Sequence, residues 1–471
     1  MGAVVAHHLG LKSSSACHVA DQGDWLHGSF NLCILIAIDD WDKKRVLIRF
    51  PLHIVLVKLS DLVMGMRRSA VKLGPTLGFK RIARMYPYRA CMALPCLLFT
   101  RLEYLPIVSR YFLQIRRQIL SWLGYAVSSY YVRHHAPNHI YSHRVTDAGY
   151  ILVEYIEEAK GEMLSSTWPT GQHDIKLRTN LFHGLARILL NLTKISLPRI
   201  GSFVIDNNGF LNLTNRPLSA EIQQLENENI RTGIPRDYTY STVDSYIVDV
   251  LSLHDSRFRH QPNAINDLGD CGYPLACLSA MRTIFPSFFQ RDFHRGPFSF
   301  DLTDLHQSNI FVDVDWNVTY LVDLEWVCSR PIEMVSTPYW LTNKGVDQLI
   351  SEEYDELRTE FMEILKDEEE KLQPVTPNAI GNKGNRGGVH PRLSDVMSQT
   401  WSTGTFYPSG LFSIFSKHIR PLFLTENLEE FHLIMPFLWG KKIGHIAGCK
   451  LADKRQYEED LRRAFDEEGS D

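Results

Sequence analysis

An α+β fold in more than one lobe is what this sequence predicts, and three observations carry it. Short apolar stretches of strand character crowd residues 25–50, where "SFNLCILIAID" and "RVLIRF" flank a turn at Asp40–Trp41–Asp42. Helical periodicity, with apolar residues every three or four, takes over in "VSRYFLQIRRQILSWL" and "LFHGLARILLNLTKI". From residue 345 onward the chain reads as helix, broken once by the Gly-, Asn- and Pro-rich "PVTPNAIGNKGNRGGVHP". Between these, "GYILVEYIEE" reads as a buried strand running into a polar turn. "GSFVIDNNGFLNLTNRPL" reads as a hairpin around Asn207–Asn208–Gly209. With 471 residues, each lobe can bury a core of its own.

Composition narrows the function classes. The content is 44% hydrophobic and 22% charged, that of an ordinary globular protein. A net charge of −4 over this length gives no chain-wide footprint for nucleic acid or an anionic membrane, so neither is an expected partner. The longest apolar runs, "NLCILIAI" and "CMALPCLLF", fall well short of the roughly 20 residues of a spanning helix. Eight cysteines are scattered with no CxxC pair, and the N-terminus shows no basic-then-apolar leader; reduced thiols in the cytoplasm are the expectation. His135, His139 and His143 fall four apart, but Pro137 breaks the helix that would align them, so a surface loop is the better reading than a metal site.

Chemistry concentrates in "FSFDLTDLHQSNIFVDVDWNVTYLVDLEW", residues 298–326. "NIFVDV" and "TYLVDLEW" read as two strands joined at Asp315–Trp316–Asn317. Such a hairpin brings Asp304 and Asn309, which precede its first strand, close to Asp323 at the end of its second. Asp323 and Glu325, two apart on a strand, would share a face. Two aspartates and an amide oxygen make a hard-oxygen site suited to Mg²⁺. Phosphoryl transfer needs such a set: one carboxylate to take the nucleophile's proton, and an Asn and an Asp to hold the metal against the phosphates. Asp-x-x-x-x-Asn alone is weak, with about one chance occurrence in a chain this long; the hairpin and its far aspartate add the weight.

"LTDLHQSNIFVD…VDLEW" resembles the catalytic segment of the aminoglycoside phosphotransferase-like family, within the protein-kinase-like superfamily. "GSFN", "RFPL", "GYILVEYIEEAKGEML", "IGSFVIDNNGFLNLTNRPL" and "LVDLEWVCSRPIEM" resemble a fungal subgroup of it. The resemblance implies a bilobal kinase-like fold with a small β-rich N-lobe and a larger, mainly helical C-lobe. It implies an N-terminal extension over 1–20, an N-lobe and hinge approach over 21–155, a C-lobe over 156–345, and a helical C-terminal part over 346–471 with a flexible loop at 373–391. It implies an ATP- and Mg²⁺-dependent kinase acting on a hydroxyl of a small molecule. Asp304 would be the catalytic base, and Asn309 and Asp323 would bind Mg²⁺. The backbone at Glu154 and Ile156 would hydrogen-bond adenine, Gly28 and Ser29 would lie in the phosphate-covering loop, and Arg49 stands where a strand lysine usually pairs the phosphates. The family's His-Gly-Asp reads Leu302–Thr303–Asp304 here.

Between "RFPL" and "FTRLEYLP" the resemblance lapses. Residues 53–98 carry many Met and Arg, a lone Asp61 and no glutamate, so no helix acid can be drawn to pair Arg49. Read one base out of frame with free choice of synonymous codons, the stretch can spell a segment containing "CEAGAYTWLQENC", the family-like helix. A frame displaced over 53–98 is therefore the reading adopted, against a diverged insertion in a pseudokinase-like binding protein or a decayed gene product. Poor packing or disorder over 53–98, and ATP binding that is weak at best, are the expectations.

Overall fold

Alternation along two strands decides which side of the main sheet is core. In β3 (Asn31–Ile38) and β4 (Arg45–Pro51) the side chains of Ile34, Ile36, Ile38, Val46 and Ile48 are buried together. Successive strand residues point to opposite faces, so Cys33 and Arg49, paired in register, lie on the other side. The computed structural model describes residues 1–11, 13–28, 31–39, 45–51, 90–94, 97–125, 127–134, 150–206, 208–344, 348–372, 391–403, 435–440 and 442–468. Across these residues the protein is α+β, built of antiparallel sheets and helices.

The main sheet has eight strands. β1 (Cys17–Val19) and β2 (Leu26–His27) both pair with β3, followed by β4, β8 (Tyr150–Glu154), β5 (Ala90–Leu94), β6 (Leu97–Arg101) and β7 (Tyr131–His134). All these pairings are antiparallel. An apolar sheet face must be covered, and helix α1 (Gly2–Leu9) covers this one. Val4 and Val5 join the cluster of Ile34, Ile36, Ile48, Tyr150 and Leu152, and His8 Nε2 lies 2.9 Å from the Tyr150 hydroxyl. Each valine contributes roughly 1.5–3 kcal/mol by its burial. Within residues 1–20, expected as an N-terminal extension, the first helix completes a core.

Of the stretch 53–98, only 90–94 and 97–98 are among the described residues. Ala90–Leu94 and Leu97–Leu98 are strand residues, β5 pairing with β8 and β6 with β5 and β7. "ACMAL" and "LLFTR" are apolar, β-capable runs, and that suffices for backbone pairing. Residues 53–89 lie outside the described residues, as do Ser29, the turn at 40–44, Asn207, the histidines at 135, 139 and 143, and most of the loop at 373–391.

Helix α2 (Ile107–Trp122) lies between β6 and β7 along the chain, and beyond β8 the chain leaves the main sheet. Then come β9 (Glu162–Met163), α3 (Leu164–Gly171) and α4 (Ile175–Thr193). Asp174 caps α4, its carboxylate accepting from the Lys176 and Leu177 N–H groups at 2.9 and 3.2 Å. The expected hairpin is present as β10 (Ser202–Ile205) and β11 (Leu211–Asn215). β12 (Phe298–Leu302) and β15 (Val327–Pro331) form a small sheet, and β13 (Ile310–Val312) lies between β14 (Val318–Leu321) and β9.

The chain divides into two compact units, one comprising Met1–Ile195, Gly201–Ala220 and Leu302–Cys328, the other Ser196–Ile200, Glu221–Asp301 and Ser329–Asp471. This does not follow a single cut near 155. The loop and hairpin at 302–328 belong with the main sheet's unit because β13 pairs with β9 and Arg49 reaches the hairpin. The second unit is largely helical. Its α5 (Val243–His260), α6 (Leu268–Ile284) and C-terminal helix Ile443–Glu468 bury Phe258, Ile265, Cys271, Leu275 and Ala447 together. Lys450, 1% exposed, donates to the carbonyls of Arg259 and Gln261 at 3.0 and 2.9 Å, satisfying the C-terminal end of α5.

Candidate functional site

The site is assembled within the first unit. β13 and β14 pair in the register Ile310↔Leu321 and Phe311↔Tyr320. Asp313 shapes the turn between them by accepting from the N–H groups of Asp315 and Asn317 at 3.0 and 2.9 Å. Trp316, with φ 60°, turns inward and stacks on Trp168 of α3 at 5.3 Å between ring centroids. Asn180 of α4 donates to the Asp315 carbonyl at 2.8 Å. Gly184 lets α4 approach β14: a Cβ there would lie 2.8 Å from Val318 Cγ2. The hairpin is therefore held by two helices before any functional side chain is considered.

The loop before β13 is fixed from inside. His306 caps the single turn Gln307–Asn309. Asn309 is buried; its Nδ2 donates to the Asp304 carbonyl at 2.8 Å and faces Asp304 Oδ2 at 3.4 Å. Its backbone carbonyl accepts from Val322 N–H at 2.9 Å, tying the loop to the residue before Asp323. Thr303 Oγ1 donates to the Trp326 carbonyl at 2.7 Å, tethering the loop to the segment after Asp323. Asp304 itself stays exposed.

Asp323 corrects one expectation. β14 ends at Leu321, Asp323 is in the left-handed region (φ 55°, ψ 44°), and Leu324–Trp326 forms a single helical turn. Asp323 and Glu325 do not share a strand face. A non-glycine residue seldom adopts that region, and aspartate tolerates it better than most. The two acids meet at Arg49 instead: one guanidinium nitrogen donates to Asp323 Oδ1 and the other to Glu325 Oε1, the latter at 2.8 Å. The side chains of Arg49 and Glu325 are 9% and 8% exposed, while Asp323 is 36% exposed. Arg49 is thus paired by Glu325 as well as by Asp323. The signal was present in "VDLEW", whose second acid follows Asp323 closely enough to reach the same cation.

The electrostatics follow from this arrangement. Burial raises the pKa of the Glu325 carboxyl and Arg49 pulls it back. Asp304 is raised by the partial burial of its carboxyl and next by the charge of Asp323, against Asn309, His306 and Arg49. Cys33, opposite Arg49 in register, has its thiol pushed up by burial, with Arg49 opposing. The arrangement offers a raised, accessible carboxylate, a buried amide, a half-exposed carboxylate and a fixed cation.

The remaining expected residues are spread along the same sheet. Glu154 ends β8 in register with Val46, three residues along β4 from Arg49, or about 10 Å. Tyr155 N–H donates to the Arg45 carbonyl at 3.0 Å, and Arg45 clamps Glu157, fixing the segment that contains Ile156. Gly28 closes β2 onto β3, its N–H donating to the Asn31 carbonyl at 2.8 Å. Among the described residues, no three His, Cys, Asp or Glu side chains cluster as a metal-binding group, and no helix is long and apolar enough to cross a membrane.

No family model matches the sequence, and no curated protein matches it either. Among solved structures the chain is similar to a macrolide 2'-phosphotransferase type I, at 12% identity over 92% of this chain and 93% of that one, with a TM-score of 0.35. A likeness at that score carries no weight for fold or chemistry, so the functional reading rests on the arrangement of Asp304, Asn309, Asp323 and Arg49.

Proposed function

We propose that this protein is a kinase-like phosphotransferase that moves the γ-phosphoryl of ATP to a hydroxyl of a small molecule. The observation that carries the reading is the meeting of four groups in one unit: Asn309 holds Asp304, and Arg49 holds Asp323. In the reaction the acceptor oxygen forms a bond to the γ-phosphorus while the bond from phosphorus to the bridging oxygen breaks. The acceptor's proton passes to the Asp304 carboxylate, and ADP leaves. A raised pKa suits a carboxylate to that task. In this reading Arg49 would bind phosphate oxygens, the backbone of Glu154 and Ile156 would hydrogen-bond adenine, and Gly28 and Ser29 would lie in the loop over the phosphates.

The donor set fits Mg²⁺. With Nδ2 of Asn309 committed to Asp304, its amide oxygen is the group left to act as acceptor, and Asp323 brings a carboxylate; both are hard oxygens. Bound there, the ion would neutralise charge on the phosphates. Asp323 now satisfies Arg49, so the guanidinium would have to share or yield that carboxylate. This same contact favours a second reading, a non-catalytic nucleotide-binding protein in which Arg49 keeps Asp323.

Thermal stabilisation of the full chain by ATP, with and without Mg²⁺, tests both. A Mg²⁺-dependent rise that Asp323→Ala abolishes, together with ADP formation that needs Asp304, supports the enzyme. A Mg²⁺-independent rise with no turnover supports the binding protein. No effect of nucleotide removes both.

A further inference from the structure

Helix α2 turns the wrong face outward for a helix of a water-soluble surface. Val108, Tyr111, Phe112, Ile115, Ile119 and Trp122 recur at helical spacing along one side, and they are 51–86% exposed. Leu123 and Tyr125 extend the patch at 54% and 66%. The opposite side faces the protein. There Arg117 donates to the carbonyl of Ser129 at 2.7 Å and also to that of Ser128, and it lies 4.1 Å over the Tyr130 ring. Arg110 donates to the Glu103 carbonyl at 3.4 Å. The helix is thus pinned by its arginines with its apolar stripe displayed. No described side chain covers that stripe, and single exposed apolar residues are ordinary whereas a contiguous row is not.

Charge identifies the occupant. The chain carries 54 Asp and Glu, yet none lies between Glu103 and Asp147, a stretch that holds Arg110, Arg116, Arg117, Arg133 and Arg144. A second copy of the chain would bring the same positive charge to the contact. An apolar stripe that holds Trp, Tyr and Phe, bordered by the exposed Arg116 and free of acids, matches the interfacial region of an anionic bilayer instead, where such helices lie in the plane of the surface. We infer that α2 docks this protein on the surface of anionic phospholipid membranes. The net charge of −4 conceals the feature because it averages a basic stretch with an acidic remainder. Nothing crosses the bilayer; the helix rests on it.

The test is flotation of the full chain with vesicles of phosphatidylcholine alone or with phosphatidylserine added. Binding is expected only with the anionic lipid and should weaken as salt rises. Phe112→Asp and Trp122→Ser, both on the outward side, should each cut the apparent affinity roughly tenfold or more, since each removes a large buried apolar group. Arg116→Gln should cut it roughly fivefold. Unchanged melting midpoints would show that these variants fold; if Phe112→Asp does not, Arg116→Gln and the salt series still decide. Equal binding to both vesicles, no binding to either, or indifference to all three substitutions would overturn the inference. So would a dimer in light scattering that Phe112→Asp dissolves, because the stripe would then belong to a second copy.

Discussion

Replacing Arg49 by methionine removes the guanidinium while leaving much of its volume, and the consequences can be worked from its two partners. Glu325 is 8% exposed and receives its charge-assisted bond from Arg49 at 2.8 Å. Taking one member from a buried pair leaves the other charged and unpaired, at a cost of about 3–5 kcal/mol. For a unit of this size that corresponds to a fall in melting midpoint of roughly 6–20 °C. The loss carries a pH signature. Burial raises the pKa of Glu325 and Arg49 opposes that rise, so in the variant the folded-state value climbs further above the ordinary 4.5. A carboxyl raised in the folded state contributes stability that is fully present below its unfolded pKa and lost as pH climbs through the folded one. The deficit is therefore largest on the alkaline side. At about pH 5.5 protonation relieves it to roughly 1–2 kcal/mol, the hydrogen bond and packing that a proton cannot restore. Melting scans of Arg49→Met at about pH 5.5 and about pH 8.5 measure this, and adding Glu325→Gln should recover most of the alkaline loss. A loss of equal size at both pH values, or no rescue by the second substitution, would refute the claim that Glu325 is ionised against Arg49.

Other outcomes follow from single contacts. Asp304→Asn should leave the melting midpoint and nucleotide-dependent stabilisation intact and lower any phosphotransfer rate about 10²- to 10⁴-fold; ADP release reads this directly. Glu333 is 1% exposed, one carboxylate oxygen accepting from Gln290 N–H at 2.8 Å, and burial lifts its pKa to about 7. Its contribution is full below about 4.5 and is lost as pH rises through about 7, a change of about 3 kcal/mol. Glu333→Gln should flatten that slope in melting scans. Gly184→Ala should destabilise by about 1–3 kcal/mol although alanine favours helix, because its Cβ would meet Val318; an increase in midpoint would show that α4 can back away. Sequencing the transcript across residues 53–98 should reveal a displaced frame, and a transcript that encodes the written residues would eliminate that account.

Much of the fold was legible because it follows local periodicity. β3, β4, β8, the hairpin at 202–215 and α4 all lie where alternation or three-and-four spacing put them. The meeting of Asp304, Asn309 and Asp323 was legible because they are close along the chain and a hairpin folds them back. What escaped depends on distant partners. "VVAHHL" is too short to signal a core helix by itself, and only the bare face of a sheet formed by residues 31–51 and 150–154 gives it a role. The left-handed backbone at Asp323 was hidden for a related reason: "TYLVDLEW" has strand composition throughout, and nothing local marks where pairing stops. The outward stripe of α2 was not legible, because periodicity reports an apolar side and not what it packs against.

Two departures that looked independent in the sequence have one structural explanation. In the family that the sequence resembles, a lysine is usual at the position of Arg49 and a helix glutamate pairs it; residues 53–98 hold no glutamate. A lysine presents one compact charge and is well served by a single carboxylate from a helix. Here the available acids are Asp323 and Glu325, which approach the same strand residue from one short turn. Only a planar fork, with separate nitrogens for each carboxylate, can satisfy both at once. The arginine is therefore the residue that lets one short turn present both acids to a single cation. Arg49→Lys tests this: one ammonium must choose between the acids, and the buried Glu325 costs more to leave unpaired. Lysine should then release Asp323, strengthening Mg²⁺-dependent nucleotide binding while lowering stability. If Arg49→Lys weakens that binding and leaves the melting midpoint unchanged, Arg49 acts on the phosphates alone and its pairing with the two acids is incidental.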